Sequence, residues 1–520
     1  MPTAKTYSYA LLGEKGESAR AKGTQLLRHS HKIIATEPVQ VGCDHQLLMD
    51  RHVVDWLVGC CRTVHQPRKH EDNPIITAEC PWEGSGVVAG NGIVLRDPNT
   101  NRLRLYGPCH DLAMREKVGK TNETVRVLMY ESDDGIRWER PKLNLFDYEG
   151  NKANNIVLDP HEGLQSTVFV LPLPARMRHR GQYAMWYHHG IPEEKLADPQ
   201  RMHTMSYHLA FSEDGIHWTD APENPILRGR ADGQNCIVYN ADRDVFMMYR
   251  RATPNAGEIR RIAYLESNNL LSWTQPQCAI DHDELDPTFH YAMPVTRYHG
   301  VYLGFLWCLH QAVHPERNVL GDGKDFITDT QLAWSRDGIT WQRHPRRPAF
   351  LEESPPHKDV CDWAGAAAAT NVIEMDDQLL VYYTGSEQLH RPGVQNPTNK
   401  ASHNVCLGRL RKDGFVSIDA GEDGGFMLTK PLKYPGGQLH INARTNDSGF
   451  IRVSIREGHG VRDGEWPEAW HFDQVVPFTG DSLDETIQWR HGKTLETFPS
   501  QTLRLHFWME QAELFSFWFE

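Results

Sequence analysis

The sequence lacks long apolar runs, an excess of basic charge and the composition of a disordered chain. No stretch approaches the roughly 20 apolar residues that cross a bilayer, and residues 1–14 lack the apolar core of a signal peptide. With 55 Lys and Arg against 68 Asp and Glu, the net charge is −13, which argues against a basic nucleic-acid-binding face. We therefore expect a soluble, cytoplasmic protein with neither a membrane nor a nucleic acid as partner.

Cysteine is also scarce. The ten cysteines in 520 residues show no CxxC spacing, so the sequence predicts neither a zinc cluster nor a thioredoxin-type pair. We expect reduced thiols in a cytoplasmic protein rather than a disulfide scaffold. The histidines have no HxH or HExxH spacing either, so no metal and no other cofactor is predicted.

What the sequence does contain is a repeat marked by tryptophan. The pattern S-x-D-G-x-x-W occurs at residues 132–138, 212–218 and 335–341, with a degenerate copy at 267–273 and a partial one at 412–415. Asp-Gly supplies the turn of a hairpin, and the apolar residue and Trp resume a strand. We interpret these repeats as structural features at the periphery of the fold.

Each copy closes a unit of about four strands, and no regular helical periodicity interrupts the series. The predicted fold is all-β, with a five-bladed β-propeller over residues 41–417 followed by a C-terminal β-sandwich over residues 418–520. Residues 1–40 are expected to form an N-terminal arm. Short alternating segments in the C-terminal region, among them 438–442, 451–456, 502–507 and 514–519, are expected to form separate strands. The alternative is a β-sandwich with repeated Asp-Gly hairpins.

The first strands of propeller blades surround a central channel, and residues at their starts converge at one end of it. Four acidic residues occupy such positions: Glu83, Asp232, Asp286 and Asp362. Convergent carboxyl groups are what glycosidic cleavage needs, because one protonates the leaving oxygen and another acts as nucleophile or base. His290 is a candidate general acid or hydrogen-bond donor.

Further side chains near these acids are candidates for substrate binding. Aromatic rings suit stacking on a sugar face, and a guanidinium group suits a carboxylate or sulfate. The candidates are Trp82, Asn91, Gln234, Arg250, Tyr291 and Trp363.

Several short motifs together resemble the arabinanase/levansucrase/invertase superfamily of five-bladed propeller glycoside hydrolases, nearest to proteins similar to the glycoside hydrolase family 32 N-terminal domain. They are PWEG at residues 81–84, GNKANNI at 150–156, DGQN at 232–235 and YAMPV at 291–295. The resemblance implies a propeller glycosidase. The sequence departs from the invertase-type Asn-Asp-Pro-Asn-Gly motif, because Ala89 stands at the position of the nucleophilic Asp. The resemblance therefore does not imply fructosidase activity.

The leading functional hypothesis is an exo-acting glycoside hydrolase on a small oligosaccharide or glycan end, with Asp232 and Asp286 as the working pair and His290 assisting. A second hypothesis is a lyase or transferase on an acidic sugar, with His290 or Tyr291 as base and an arginine neutralising a uronate. A third is a non-catalytic carbohydrate-binding propeller. The partner is a carbohydrate in each case, and homo-oligomer formation is left open.

Overall fold

The structure is a computed structural model. It describes residues 37–111, 125–158, 164–190, 205–228, 234–252, 260–286, 289–311, 326–355, 360–390, 403–458 and 467–520. Within these ranges the chain is nearly all-β, as predicted, and no helix is long and apolar enough to cross a membrane. The described helical residues form short 3₁₀ turns at Pro81–Glu83, Ala89–Asn91, Ala175–Arg180, Glu468–Trp470, Arg490–Gly492 and Leu495–Thr497.

The chain divides into two compact units. Among the described residues, the smaller unit combines those from 37 to 63 with those from 416 to 520, and the larger unit comprises those from 64 to 415. The first described strands are β1 (Val39–Gln40), β2 (Gln46–Leu47), β3 (Val54–Val58) and β4 (Cys60–Val64), followed by β5 (Arg68–Lys69) at the start of the larger unit.

The larger unit contains four sheets, and the last of them joins two antiparallel sets of strands through one parallel pair between β22 (Phe326–Ser335) and β25 (Gly365–Met375). We describe these sets separately, which gives five successive groups of strands. The first group is β6 (Ile93–Arg96), β7 (Leu103–His110), β8 (Val125–Ser132) and β9 (Ile156–Leu158). The second is β10 (Leu164–Pro172), β11 (Tyr183–Gly190), β12 (Met205–Ser212), β13 (Thr219–Asp220) and β14 (Leu227–Arg228). The third is β15 (Asn235–Asn240), β16 (Val245–Ala252), β17 (Arg261–Ser267) and β18 (Gln277–Ile280).

The fourth group is β19 (Phe289–Ala292), β20 (Val295–Tyr298), β21 (Val301–Gln311), β22 (Phe326–Ser335), β23 (Gln342–Arg343) and β24 (Ala349–Leu351). The fifth is β25 (Gly365–Met375), β26 (Gln378–Ser386) and β27 (His403–Arg411), and β5 pairs antiparallel with β27 as its outer strand. The first strands contact one another in sequence: β10 with β15, β15 with β20, β20 with β25, and β25 with β6. These strands therefore lie beside one another in the order of the groups.

The repeated hairpins connect neighbouring groups. In the first copy, Ser132 Oγ accepts a hydrogen bond from Gly135 N at 2.8 Å, and Asp134 Oδ1 accepts one from Ile136 N at 2.8 Å. The Gly135 carbonyl in turn accepts the hydroxyl of Tyr382 from the fifth group at 2.8 Å.

Two other copies make the same contact with the group before them. The Tyr106 hydroxyl of the first group donates to Gly215 O at 3.0 Å, and the Tyr249 hydroxyl of the third group donates to Gly338 O at 2.6 Å. A buried hydroxyl of this kind needs a partner, and the glycine carbonyl of an Asp-Gly turn supplies one. The repeated hairpins therefore connect neighbouring strand groups through hydrogen bonds.

The C-terminal part of the smaller unit contains two strands that are longer than predicted. Its strands are β28 (Val416–Ala420), β29 (Gly425–Thr429), β30 (Leu432–Lys433), β31 (Leu439–Glu457), β32 (Asp481–Thr486) and β33 (Thr502–Phe519). The sequence suggested separate strands over 438–442 and 451–456, and again over 502–507 and 514–519. Each pair is one continuous strand, since β31 and β33 pair along their length with register shifts that absorb the irregular alternation.

The predicted boundary at residue 41 needs correction. Residues up to 63 belong to the smaller unit, because β3 pairs with β29 and β2 pairs with β33. Leu48, Val53 and Val54 are buried in the core of that unit. Of the predicted arm over residues 1–40, residues 1–36 lie outside the described part of the chain.

Candidate functional site

Residues at the starts of the first strands meet residues of other groups. Gly90 N donates to Thr384 Oγ1 at 2.7 Å, and Gln234 Nε2 donates to Thr370 Oγ1 at 2.9 Å. The Trp307 indole N–H donates to Ala368 O at 3.0 Å. We define the strand-start cluster as Asn91, Gln234 and Tyr291, which lie near strand starts, together with Trp307 and Thr370, which lie within β21 and β25.

Glycine is required at residue 90 by the packing of this cluster. A Cβ there would lie 2.6 Å from the Trp307 ring and 3.0 Å from the Ala367 carbonyl. The 3₁₀ turn that carries Gly90 also carries Asn91, so the close approach of Trp307 fixes the backbone at the first strand of the first group. Asn91 Oδ1 and Gln234 Oε1 are buried, and neither accepts a hydrogen bond from the described residues.

Tyr291 sits at a register shift between His290 and Ala292 in β19, and such a bulge turns a side chain away from the regular alternation. Its ring contacts the guanidinium groups of Arg251 and Arg260, with centroid distances of 5.0 and 5.2 Å. The Trp307 ring is nearly parallel to the Tyr291 ring, with the two ring centroids 6.4 Å apart. The sequence suggested that Tyr291 stacks on a sugar, whereas its described neighbours include two cations.

Arg250 and Arg251 are adjacent in β16 and so point to opposite faces of the strand. Arg250 lies over the Tyr207 ring, 5.7 Å from its centroid, and donates to the Tyr207 hydroxyl at 3.4 Å. Tyr207 donates to Asn235 Oδ1 at 3.1 Å. The predicted binding residue Arg250 is thus part of a partly buried polar cluster between the second and third groups.

The predicted working acid Asp286 is held in an ion pair. Its carboxylate is bonded by both terminal nitrogens of Arg343, with the Nη2–Oδ2 distance at 2.8 Å, and it accepts Asp283 N at 2.8 Å. The side chain is 0% exposed. Burial acts to raise its pKa, but the hydrogen bonds from Arg343 and His290 outweigh burial and hold the pKa of Asp286 well below its usual range.

His290 shares this environment. Its Nε2 lies 3.3 Å from Asp286 Oδ1, and its ring stacks on His282 with centroids 3.8 Å apart. Burial lowers the pKa of His290. His282, Asp286 and His290 together have donor atoms close enough to hold a metal ion. The guanidinium of Arg343 already occupies the Asp286 oxygens, so the geometry favours an ion pair over a metal site.

The carboxylate oxygens of Glu83 are likewise already bonded by other groups of the protein. Its side chain is 0% exposed and accepts hydrogen bonds from the backbone of Glu79 and Cys80, from the Tyr130 hydroxyl at 2.5 Å and from Arg140 at 2.7 Å. The neighbouring Trp82 is buried, and its indole N–H donates to Asn155 Oδ1 at 2.8 Å. This environment favours structural roles for Glu83 and Trp82 over the predicted catalysis and sugar stacking.

Asp362 is also buried and paired. Its Oδ2 lies 2.7 Å from Lys69 Nζ and accepts the Tyr383 hydroxyl at 2.9 Å. Trp363 beside it is partly buried. Asp232, the other half of the predicted pair, lies outside the described residues, so its role stays a prediction.

The sequence interpretation missed a second group of titratable residues in the fourth strand group. His310 Nε2 lies 3.0 Å from Asp329 Oδ1. Burial lowers the pKa of His310, but the hydrogen bond and charge of Asp329 outweigh it and the pKa is raised. Burial, followed by the charge of Asp329, raises the pKa of the nearby Glu353.

Asp329 lies at the same end of the larger unit as the strand-start cluster. Its neighbour Thr328 pairs with Gly365 at the start of β25, and Thr330 pairs with Trp307 and donates to Ala366 O at 2.9 Å. The sequence signal was weak, because Asp329 falls inside a strand and Glu353 follows a short outer strand, whereas the predicted acids stand before first strands.

Comparisons with known proteins bear mainly on the fold. No protein-family model and no curated protein matches the chain. A solved glycoside hydrolase is 14% identical over 66% of this chain and 92% of its own, with a TM-score of 0.43. The Bombyx mori GH32 beta-fructofuranosidase is 10% identical over 97% and 98%, with a TM-score of 0.40.

The beta-1,2-mannobiose phosphorylase from Listeria innocua is 13% identical over 66% of this chain and 96% of its own, with a TM-score of 0.43. Glycoside hydrolases, the kind of protein that the sequence resembles, are therefore among the structural neighbours of the chain, and so is a phosphorylase.

Proposed function

We propose that the larger unit is a five-bladed β-propeller and that the chain is a glycoside hydrolase, exo-acting on the end of a small oligosaccharide or glycan. The blade count is supported by the five strand groups and the sequential contacts of their first strands. The hydroxyl of Tyr382, which reaches from the last group to the first, supports closure of the ring.

The observation that carries the proposed activity is the carboxyl group of Glu353. Its raised pKa lets it keep a proton into the pH range where an ordinary glutamate is ionised, which is the property of a general acid. A second carboxyl group, Asp329, lies within electrostatic reach of it. Despite burial, the pKa of Asp286 is instead lowered by its hydrogen bonds with Arg343 and His290, and the carboxylate of Glu83 is bonded by Arg140.

In the proposed reaction, Glu353 protonates the leaving oxygen of the glycosidic bond. The second carboxylate, either Asp329 or Asp232, attacks the anomeric carbon or activates a water molecule. Carboxyl groups about 5–5.5 Å apart give retention, and groups about 6.5–9.5 Å apart give inversion. Asn91 and Gln234 have buried acceptor oxygens at the strand starts that suit sugar hydroxyl groups.

The test is release of monosaccharide from a panel of neutral disaccharides and trisaccharides by the purified chain. Glu353→Gln should abolish release. Either Asp329→Asn or Asp232→Asn should also abolish it, and the variant that does so identifies the second catalytic carboxylate. Asp242→Asn serves as the matched control, since Asp242 is an exposed acid paired with Arg297. Full activity in Glu353→Gln would refute the assignment, and binding without release by the unmodified chain would favour a carbohydrate-binding protein.

A second candidate is a lyase on an acidic sugar, and the observation that favours it is the pair of guanidinium groups around Tyr291. An arginine would neutralise the uronate carboxylate while Tyr291 removes the C5 proton, and the glycosidic bond would break with formation of an unsaturated sugar. Ultraviolet absorbance of an oligouronate digest measures that product. Its appearance, and its loss in Tyr291→Phe, would replace hydrolysis as the activity.

A further inference from the structure

Two cysteines of the larger unit lie in contact. The Sγ atoms of Cys361 and Cys406 are 3.4 Å apart, although the residues are 45 positions apart in sequence. Cys406 is buried in β27, and Cys361 is partly buried in the segment that leads into β25. Reduced cysteines of a folded protein have no general reason to meet in this way, so the contact has to be explained by the local packing.

The packing that brings them together depends on Gly385. A Cβ at this position would lie 2.8 Å from Cys406 Sγ and 3.0 Å from the Cys361 carbonyl. The absence of a side chain in β26 therefore leaves the space in which the Cys361 segment approaches β27. Ala364 N donates to Ser386 O at 3.0 Å, which anchors the same segment on β26.

The two thiols differ in character. The hydrogen bond with Cys406 lowers the pKa of the Cys361 thiol, whereas burial raises that of Cys406. The partly exposed Cys361 is therefore the sulfur that a dissolved oxidant reaches and that ionises more readily. Cys406 lies behind it, in the position of a resolving thiol.

We propose that Cys361 and Cys406 form a reversible disulfide when the protein meets a peroxide. The Cys361 thiolate attacks one peroxide oxygen, which gives a sulfenic acid and releases one water after protonation. The Cys406 thiol then attacks the sulfenic sulfur, the S–S bond forms, and the hydroxyl group leaves as a second water. The two thiols lose two electrons and two protons, and the peroxide is reduced to water.

Closing the bond requires little movement. A disulfide has an S–S length of about 2.05 Å, so the sulfurs must approach by a little over 1 Å. Cys361 lies on a short segment outside the strands, whereas Cys406 is fixed in a central pairing with Tyr383. The movement is therefore expected in the Cys361 segment, which also carries Asp362.

The test treats the reduced full-length chain with a small excess of hydrogen peroxide and measures its intact mass. We expect loss of the mass of two hydrogen atoms, a peptide pair linked through Cys361 and Cys406 on digestion without reductant, and recovery of the original mass with dithiothreitol. Cys361→Ser should abolish both changes. Cys278→Ser, which alters an exposed thiol in β18, should leave them intact.

Two outcomes of the peroxide experiment would overturn the proposal. The first is a two-hydrogen loss that persists in Cys361→Ser, and the second is recovery of Cys361 as a sulfinic acid without a linked peptide. Oxidised glutathione gives a further measurement on the unsubstituted chain. Cys406 should displace glutathione from Cys361, so a stable glutathione adduct at Cys361 would also refute the pairing. Circular dichroism of Cys361→Ser before oxidation checks that the variant is folded.

Discussion

A carboxylate at the start of a propeller strand is useful to chemistry only when its oxygens are open to substrate. Asp286 occupies such a position in sequence, yet Arg343 and the backbone of Asp283 take its oxygens. A buried charge must be compensated by partners, and two terminal guanidinium nitrogens do this well. The pair therefore belongs to the stability of the fold, whereas Glu353 keeps a protonatable carboxyl group.

Asp286→Asn should lower the free energy of unfolding by about 3–5 kcal/mol at pH 7, because it leaves the nearly buried Arg343 without its counter-charge. Since the folded-state pKa of Asp286 is lowered, its stabilisation is complete above the unfolded pKa of about 3.9 and is lost as the pH falls through the folded-state value. Urea unfolding of both proteins across this range measures the difference.

The control for this prediction is Asp242→Asn, which breaks a solvent-exposed pair with Arg297 and should cost less than about 1 kcal/mol. Equal losses in the two variants would show that the Asp286 pair contributes no more than a surface ion pair.

Glu353 leads to a prediction on pH dependence. Because the proposed hydrolysis needs the protonated form of Glu353, kcat/KM for an accepted glycan should fall as the pH rises through the raised pKa of this residue. In Glu353→Gln the remaining activity should be small and should lack this alkaline decline. An unchanged alkaline limb in the variant would assign that titration to another group.

At the scale of elements, the repeated hairpin joins neighbouring strand groups. Three tyrosines on second strands, Tyr106, Tyr249 and Tyr382, donate to the glycine carbonyl of the next hairpin. The Tyr382 hydrogen bond runs from the fifth group to the first. Gly135 has φ +73°, and a Cβ there would lie 2.5 Å from the Tyr382 hydroxyl oxygen. Gly135 therefore serves both the positive-φ turn and the contact between the fifth and first groups.

A matched pair of substitutions separates these two roles. Gly135→Ala and Gly150→Ala both place alanine at positive φ, but nothing lies within 4 Å of a Cβ at residue 150. Gly150→Ala should cost about 1–2 kcal/mol from the backbone alone. Gly135→Ala should cost at least about 1 kcal/mol more, since overpacking and loss of the Tyr382 hydrogen bond add to it. Thermal unfolding of both variants measures this, and equal losses would contradict a packing role.

At the scale of the whole molecule, the smaller unit is built from both ends of the described chain. β3 from the N-terminal segment pairs with β29, and Leu48, Val53 and Val54 fill the core around β31 and β33. The larger unit is one continuous segment of 352 positions, residues 64–415. The two units therefore differ in what each needs in order to fold.

Residues 416–520 produced alone should fail to unfold cooperatively, because the edge of β29 and a buried apolar surface are left open. The same residues joined to residues 37–63 through a flexible linker should show a cooperative transition in thermal circular dichroism. A sharp transition in the shorter chain would show that the N-terminal strands are dispensable.

The parts of the fold that were predictable are those coded locally. Asp-Gly turns and alternating strands can be interpreted within about ten residues, which is why the hairpins at 132–138, 212–218 and 335–341 and the nearly all-β class emerged directly. The merging of the predicted C-terminal strands into β31 and β33 was not predictable, because bulges let a strand continue through an interrupted alternation.

The sequence by itself determined the repeat, the hairpins and the acids at the strand starts. Only the tertiary structure decided which acids are already paired, because Asp286 meets Arg343 57 residues away and Glu83 meets Arg140 57 residues away. It likewise decided that Glu353 is near Asp329 and that Cys361 contacts Cys406. Turn and strand preferences act between neighbours in the chain, whereas charge compensation and thiol contacts depend on distances that only packing sets.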